Sequence, residues 1–357
     1  MLGSLQAGRA VAATAVAAFH LSAMMGEPRY GGERVFHDWV ARGNLGVDFF
    51  FVLSGFIILY AHEKDIGRPE RWRDYLRRRF VRVYPIYWLY TALFVLAFAL
   101  FGGAGAHVPT GLLDILTSAT LVRFSDAVPP LAVAWSLYNE VLFYAMFVLL
   151  ILNVRLGLVA FFAWALACLA LFHHMDGTPP TALPAYTALC NLWFFFGMGA
   201  YLLFKRLRTG VAPLAAGAAI LAVSATLDLD HELWPFLLVT GLSLAIAGVA
   251  RLEANGHLRC PAWLMVVGNA SYTIYLVHVP LSGVLLKVAL ISGAHALIGG
   301  EATFILVLAG TTLAGCVAYA WVEKPLLGAL GAPGIRGRAA RASAAAVWAR
   351  WTGARRT

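Results

Sequence analysis

Residues 45–61 read LGVDFFFVLSGFIILYA, with Asp48 as their one charged side chain. Coiled as an α-helix, such a stretch rises about 25 Å, close to the roughly 30 Å of hydrocarbon in a bilayer. Residues 62–82 are its opposite: they carry eight basic residues, Lys64, Arg68, Arg71, Arg73, Arg77, Arg78, Arg79 and Arg82. An apolar block that ends in dense positive charge has the signature of a membrane span with a cytoplasmic flank, because cations are retained on the cytoplasmic side.

The pattern repeats outward from there. Hydrophobic residues make up 61% of the 357 positions and charged residues 13%, with a mean hydropathy of +0.76. A soluble domain needs roughly a quarter of its residues charged. Apolar blocks at 8–25, 45–61, 83–101, 131–151, 155–172, 184–204, 211–227, 234–250, 266–289 and 302–322 are expected to be helical spans. A β-barrel would show short alternating segments instead. The loops after even-numbered spans hold Arg155, then Lys205, Arg206 and Arg208, then Arg251 and Arg259, whereas 173–183, 228–233 and 290–301 hold no Lys or Arg. The fold class read from this is all-α: a polytopic integral membrane protein of about ten transmembrane helices with both termini cytoplasmic.

The net charge of +9 is therefore mainly topological. It speaks against a nucleic-acid partner and for contact with membrane lipids. Cys168, Cys190, Cys260 and Cys316 lack paired spacing, so neither a disulfide nor a metal site is expected. Residues 1–327 read as one membrane domain. The remainder, 328–357, is a basic Ala/Gly/Arg-rich tail, expected to be mobile on the cytoplasmic side with a short surface helix near 339–351.

Ionisable groups inside spans are costly and so point to function. Arg9 and His20 are eleven residues apart, about three turns, and share a helix face with a rise of about 16 Å. Arg9 at the cytoplasmic mouth and His20 deeper suit an anionic cofactor gripped at one end and met by an imidazole base at the other. They equally suit a positive-inside anchor and a hydrogen-bonded bundle histidine. Ser136 and Glu140 lie four apart on one face, either as a working carboxyl or as part of a structural ion pair. Ser271, Tyr275 and His278 form an i, i+4, i+7 stripe, catalytic or interhelical glue. Asp48 either orients His20 or caps its helix. Lys287 is expected to snorkel outward, and Glu323 with Lys324 and Pro325 reads as a helix terminus. The arginines at 78, 79 and 82 follow helical spacing and suit bidentate phosphate binding, or anionic headgroups.

Six stretches in order carry a likeness: Arg9 and His20; GVDFFFVLSGFIILY at 46–60; RRRFVRVYPIYWL at 77–89; AWSLYNEVLFY at 134–144; GNASYTIYLVHVPL at 268–281; VEKPL at 322–326. Each alone is unspecific, but together they run from first span to last. The chain resembles the acyltransferase-3 family of bacterial membrane O-acyltransferases, close to members that decorate exopolysaccharide. The resemblance implies transfer of an acyl group, usually acetyl, from cytoplasmic acyl-CoA to a carbohydrate hydroxyl in the bacterial inner membrane, alongside polysaccharide-biosynthesis machinery. It implies functional roles for Arg9 and His20, donor contacts for Arg79 and Arg82 with Arg77 nearby, and a role for Glu140 with Ser136. Two departures stand out. Tyr138 and Asn139 replace the commoner small residues, and VEKPL varies the acidic-Arg-Pro ending. The family's frequent periplasmic esterase-like appendage is not in the sequence, so transfer is expected to finish within the membrane domain. A rival from another class is a glycan or lipid-linked-sugar flippase that uses the same His, Glu and Arg as a proton relay.

Overall fold

The computed structural model describes residues 2–102, 108–171, 182–227 and 233–331. The expected surface helix at 339–351 and all but the first residues of the tail lie outside them. Among the described residues the regular elements are helical and there is no strand. The principal helices are α1 (Gly3–Met25), α2 (Gly46–His62), α3 (Trp72–Phe101), α4 (Trp135–Leu152) and α5 (Val154–Leu171). They are followed by α6 (Trp193–Arg206), α7 (Val211–Thr226), α8 (Trp234–Ala254), α9 (Ser271–Ile291) and α10 (Ala294–Ala318).

Among the described residues, eight helical stretches are long and apolar enough to cross a membrane, those that contain α1 to α5 and α8 to α10. The two other expected spans appear as shorter helices, α6 with 14 residues and α7 with 16. Pro184 belongs to a separate five-residue helix, Ala182–Tyr186, and a 3-10 turn at Leu189–Leu192 leads into α6, so apolar residues of the expected span 184–204 are spent before α6 begins. Even so, α6 runs beside α2 from end to end. Trp193 Nε1 donates to Asp48 Oδ1 at 2.7 Å at one end, and Tyr201 Oη donates to Glu63 Oε2 at 2.8 Å at the other. Between them the backbones touch: a Cβ on Gly55 would fall 2.0 Å from the Phe194 carbonyl oxygen, and one on Gly197 1.8 Å from that of Val52. Lipid tails are as apolar as leucine, so close packing rather than hydrophobic exclusion is what joins helices here. The antiparallel α7 and α8 are matched in the same way, with Gly210 against Gly248 and Trp234 Nε1 on the Ser224 carbonyl oxygen at 2.9 Å.

The central helix, α1, buries a run of small residues, Ala10, Ala12, Ala13, Ala17 and Ala18, which lets neighbours approach closely. The expected span 266–289 divides at Ala270 into a short helix, Ala262–Asn269, and α9. At that division Gly268 lies against α1, where an added Cβ would come within 2.0 Å of the Gln6 carbonyl oxygen. Beyond it α9 runs parallel to α1.

Two further departures from the sequence expectation shape the site. Most of the arginine-rich stretch expected as a loop is helix, since α3 already starts at Trp72 after a 3-10 turn, Pro69–Arg71. Arginine is a good helix former, and Pro69 in the first turn supplies the preset φ of a helical start. At the far end, α10 passes into a π-helical turn at Tyr319–Glu323. Such turns rotate side chains relative to the α-helical register, and here Glu323 is fully buried rather than a terminal cap.

Candidate active site

Parallel packing of α1 and α9 sets two polar pairs at different depths. Near the start of both helices Arg9 Nε donates to Ser271 Oγ at 2.9 Å. Farther along, His20 Nδ1 lies 3.2 Å from His278 Nε2. The shared face expected for Arg9 and His20 is thus turned toward α9, and the stripe Ser271, Tyr275, His278 is turned back toward α1 and α4.

The first level gathers three guanidinium and two carboxyl groups. Arg82 donates to Glu323 Oε1 at 2.8 Å, and Thr273 Oγ1 donates to Glu323 Oε2 at 2.6 Å, so both oxygens of this buried carboxylate are satisfied. Arg82 also lies over the Tyr272 ring, 5.3 Å from its centroid. Glu140 Oε1 accepts from Ser54 Oγ at 3.2 Å and from Tyr144 Oη. Arg79 lies 5.8 Å from the centroid of the Tyr144 ring, its buried Nε without a hydrogen-bond partner. Arg9 is within electrostatic range of Arg82, Glu323 and Glu140. With Glu323 committed to Arg82 and Thr273, positive charge is left over at this level, and an anion would complement it.

Between the levels, Tyr275 Oη donates to the Val133 carbonyl oxygen at 2.9 Å, and Ser136 Oγ lies 2.9 Å from the same phenol. Ser136 Oγ also lies 3.4 Å from that carbonyl oxygen, so both hydroxyls have Val133 as an acceptor.

At the deeper level the hydrogen bonds assign the tautomers. His278 Nδ1 is 2.7 Å from the Tyr275 carbonyl oxygen, which only accepts, so the proton of His278 sits on Nδ1 and its Nε2 is an acceptor. His20 Nδ1 is 2.9 Å from the Val16 carbonyl oxygen and 3.2 Å from that acceptor Nε2, so it too carries its proton and shares it. Neutral His20 therefore has its lone pair on Nε2, the arrangement a general base or nucleophile requires. His278 is fully buried and His20 partly exposed.

Not every expected residue joins this assembly. Arg77 is exposed, because on a helix it points well away from the face shared by Arg79 and Arg82. Asp48 does not reach His20; its Oδ1 is held by Trp193 and ties α2 to α6. Lys287 is exposed. The sequence reading missed the place of Glu323, whose inward turn depends on the π-helical register, and the hydroxyl partners Ser54, Tyr144 and Thr273. A carboxylate next to an apolar span was the available signal for Glu323.

The acyltransferase-3 family model, described as an acyltransferase domain, matches residues 2–321. The chain belongs to this family. It is 33% identical over 304 residues, 80% of this chain and 90% of the relative, to the exopolysaccharide production protein ExoZ of Rhizobium meliloti. It is 28% identical over 335 residues to the acyltransferase MdmB of Streptomyces mycarofaciens, covering 81% of this chain and 82% of that one. No solved structure matches. As a member of the acyltransferase-3 family the chain is a multi-pass membrane O-acyltransferase.

Proposed function

We propose that this enzyme moves an acyl group, acetyl in the first instance, from cytoplasmic acyl-CoA to a hydroxyl of a cell-surface or exopolysaccharide sugar. Kinship with a relative named for exopolysaccharide production supports the acceptor class. The observation that carries the mechanism is the His20 tautomer, with Nδ1–H held by Val16 and His278 and the lone pair on Nε2. In the transfer, the sugar oxygen attacks the thioester carbonyl carbon while its proton passes to His20 Nε2. The tetrahedral intermediate collapses, the carbon–sulfur bond breaks, and the thiol leaves with the proton returned from Nε2. His20 ends as it began. Base assistance of this kind is worth about 10²–10⁴-fold in rate. Arg9, Arg79 and Arg82 offer positive charge along the donor's route, Glu140 holds its place between Ser54 and Tyr144, and Ser136 with Tyr275 lies between the two levels.

The same reading places the enzyme in the bacterial inner membrane with ten crossings, both termini cytoplasmic, beside polysaccharide-biosynthesis machinery. Its support for ten is that α6 lies alongside the full length of α2, and α7 alongside α8. Support for termini on one side comes from Glu323, after α10, meeting Arg82 of α3 and Thr273 near the start of α9, next to the Arg9–Ser271 contact near the start of α1.

Sealed inside-out vesicles, supplied with radiolabelled acetyl-CoA and the host glycan, test the proposal. Label is expected in polysaccharide with wild type and not with His20→Ala. Equal label from both sinks the base assignment. No label from wild type with acetyl-CoA or succinyl-CoA sinks the donor.

A further inference from the structure

Outside the polar levels just described, the structure has a pocket of about 260 Å³ at the junction of α2 and α3, lined by Ala61, His62, Lys64, Asp65, Arg68, Arg71, Asp74, Tyr75 and Arg78. Four of these side chains are cationic and two are acidic. Both acids are engaged: Asp65 Oδ2 lies 2.8 Å from His62 Nδ1, and Asp74 pairs with Arg71 at 3.8 Å. Lys64, Arg68 and Arg78 enter no ion pair among the described residues.

Two lining side chains add an observation independent of charge. His62 and Tyr75 are almost fully buried, at 2% and 1% exposure, yet His62 Nε2 and Tyr75 Oη have no hydrogen-bond partner. A buried polar atom without a partner costs about 1–3 kcal/mol, and few are tolerated without a purpose. Both residues belong to the pocket wall, so an oxyanion seated there would satisfy them once their side chains turn toward it. With Nδ1–H given to Asp65 and burial disfavouring its charged form, neutral His62 offers Nε2 as an acceptor to a phosphate hydroxyl, and the phenol donates to a phosphate oxygen. Guanidinium groups bind phosphate in a bidentate manner, and the first turn of α3 adds the positive end of its dipole.

Size and position narrow the ligand. The volume falls below the 300–1,000 Å³ usual for whole small molecules, so the pocket suits the phosphorylated head of something longer. Arg79 follows Arg78 directly and is within electrostatic range of both His62 and Tyr75. From Arg79 the polar groups continue to Tyr144, Glu140, Arg82 and Arg9, and from there α1 leads to His20.

Resting on the donor assigned under Proposed function, we infer that this pocket docks the phosphorylated nucleotide end of acyl-CoA, held by Lys64, Arg68, Arg71 and Arg78 with His62 and Tyr75, while the thioester arm runs inward past Arg79 and Arg9. The phosphate dock thereby begins at Arg78, beside Arg79, while Arg79 and Arg82 line the arm's path. A phosphate-bearing lipid headgroup shares the chemistry and is the alternative occupant to be excluded.

The test uses the full chain, purified and reconstituted in nanodiscs of neutral phosphatidylcholine, with coenzyme A and dephospho-coenzyme A as calorimetric probes. Wild type is expected to bind coenzyme A more tightly than the dephospho form. Combining Arg68→Gln with Arg78→Gln should weaken coenzyme A binding about tenfold or more and abolish that preference. Arg155→Gln, an exposed arginine outside the pocket, should change neither, and all three proteins should share one unfolding temperature. Unchanged affinity and preference in the double variant overturn the dock. So does a double variant that differs from wild type only in retaining phosphatidylglycerol when nanodiscs contain that anionic lipid. Failure of the dock alone leaves label transfer in vesicles intact, whereas wild type that binds no coenzyme A at all removes the dock and the donor together.

Discussion

His278 Nε2 stands 3.2 Å from His20 Nδ1, while its own Nδ1 lies 2.7 Å from the Tyr275 carbonyl oxygen. The order of these bonds has a direction: a backbone oxygen fixes the proton of His278, and His278 in turn fixes the proton of His20. A fully buried imidazole thus orients His20, the proposed base, from its far nitrogen, as the outer partner of a working histidine commonly does. His278→Ala is expected to lower kcat about tenfold to a hundredfold with little change in KM for the acyl donor, because it touches neither substrate. His20→Ala should cost more, and the double variant no more than His20→Ala alone, since residues acting as a unit are not additive. Initial rates of labelled acyl transfer measure this. Additive losses would mean that His278 acts by a route other than His20.

The Arg82–Glu323 pair predicts an asymmetry in stability. Glu323 is fully buried with Arg82 at 2.8 Å and Thr273 at 2.6 Å. Removing Arg82 leaves the fully buried Glu323 charge uncompensated, at a cost of about 3–5 kcal/mol, whereas removing Glu323 leaves an arginine that is 32% exposed and costs less. Arg82→Leu should sharply lower the unfolding temperature in detergent, and Glu323→Leu should lower it less. Their combination should recover much of the loss, because a buried pair replaced by apolar groups is often close to neutral. A double variant as unstable as the sum of the singles would contradict the pairing.

Much of this site was legible because its logic is helical periodicity. Arg9 with His20, and Ser271 with Tyr275 and His278, fall on single faces by spacing alone, and the structure turns those two faces toward each other. Glu323 was not legible in this way, since its inward direction depends on a π-helical turn that no residue pattern at 319–323 announces. The stretch 72–82 misled for a different reason. Dense arginine resembles a solvated loop, yet the same residues are good helix formers, and as helix they divide into Arg77 outside, Arg78 at the pocket and Arg79 and Arg82 within. Asp48 went to Trp193 because side-by-side packing of α2 and α6 is a tertiary fact beyond one-dimensional reach.

That packing makes a prediction of its own. Gly55 and Gly197 each face a backbone carbonyl at a distance no Cβ tolerates, 2.0 and 1.8 Å, while Gly199, two residues along the same helix, has nothing within 4 Å. Gly55→Ala and Gly197→Ala must push α2 and α6 apart, and overpacking of this kind costs about 1–3 kcal/mol or more. Gly199→Ala meets no obstacle and should be neutral or slightly stabilising, by up to about 1 kcal/mol, because alanine is the better helix former. Unfolding temperatures of the three variants, read with the yield of detergent-soluble protein, should separate the first two from the third. Equal behaviour of all three would mean that the helices are not in backbone contact.

The side of the membrane on which Arg208 lies decides whether α6 and α7 cross. Lys205 pairs with Glu63 just after α2 ends, which puts the α6–α7 turn on the face that carries the arginine-rich pocket. If both helices cross, as this pairing favours, the exposed Arg208 shares with Arg155 the face proposed as cytoplasmic; a chain in which neither crosses would leave it opposite, with the exposed Trp39 that precedes α2. In a background with the four native cysteines replaced, Trp39→Cys should react with a membrane-impermeant maleimide added outside intact cells. Arg155→Cys and Arg208→Cys should react only after the membrane is opened. Labelling of Arg208→Cys from outside would leave eight crossings and remove α6 and α7 from the count, whereas protection of both arginine sites fits a chain that crosses ten times.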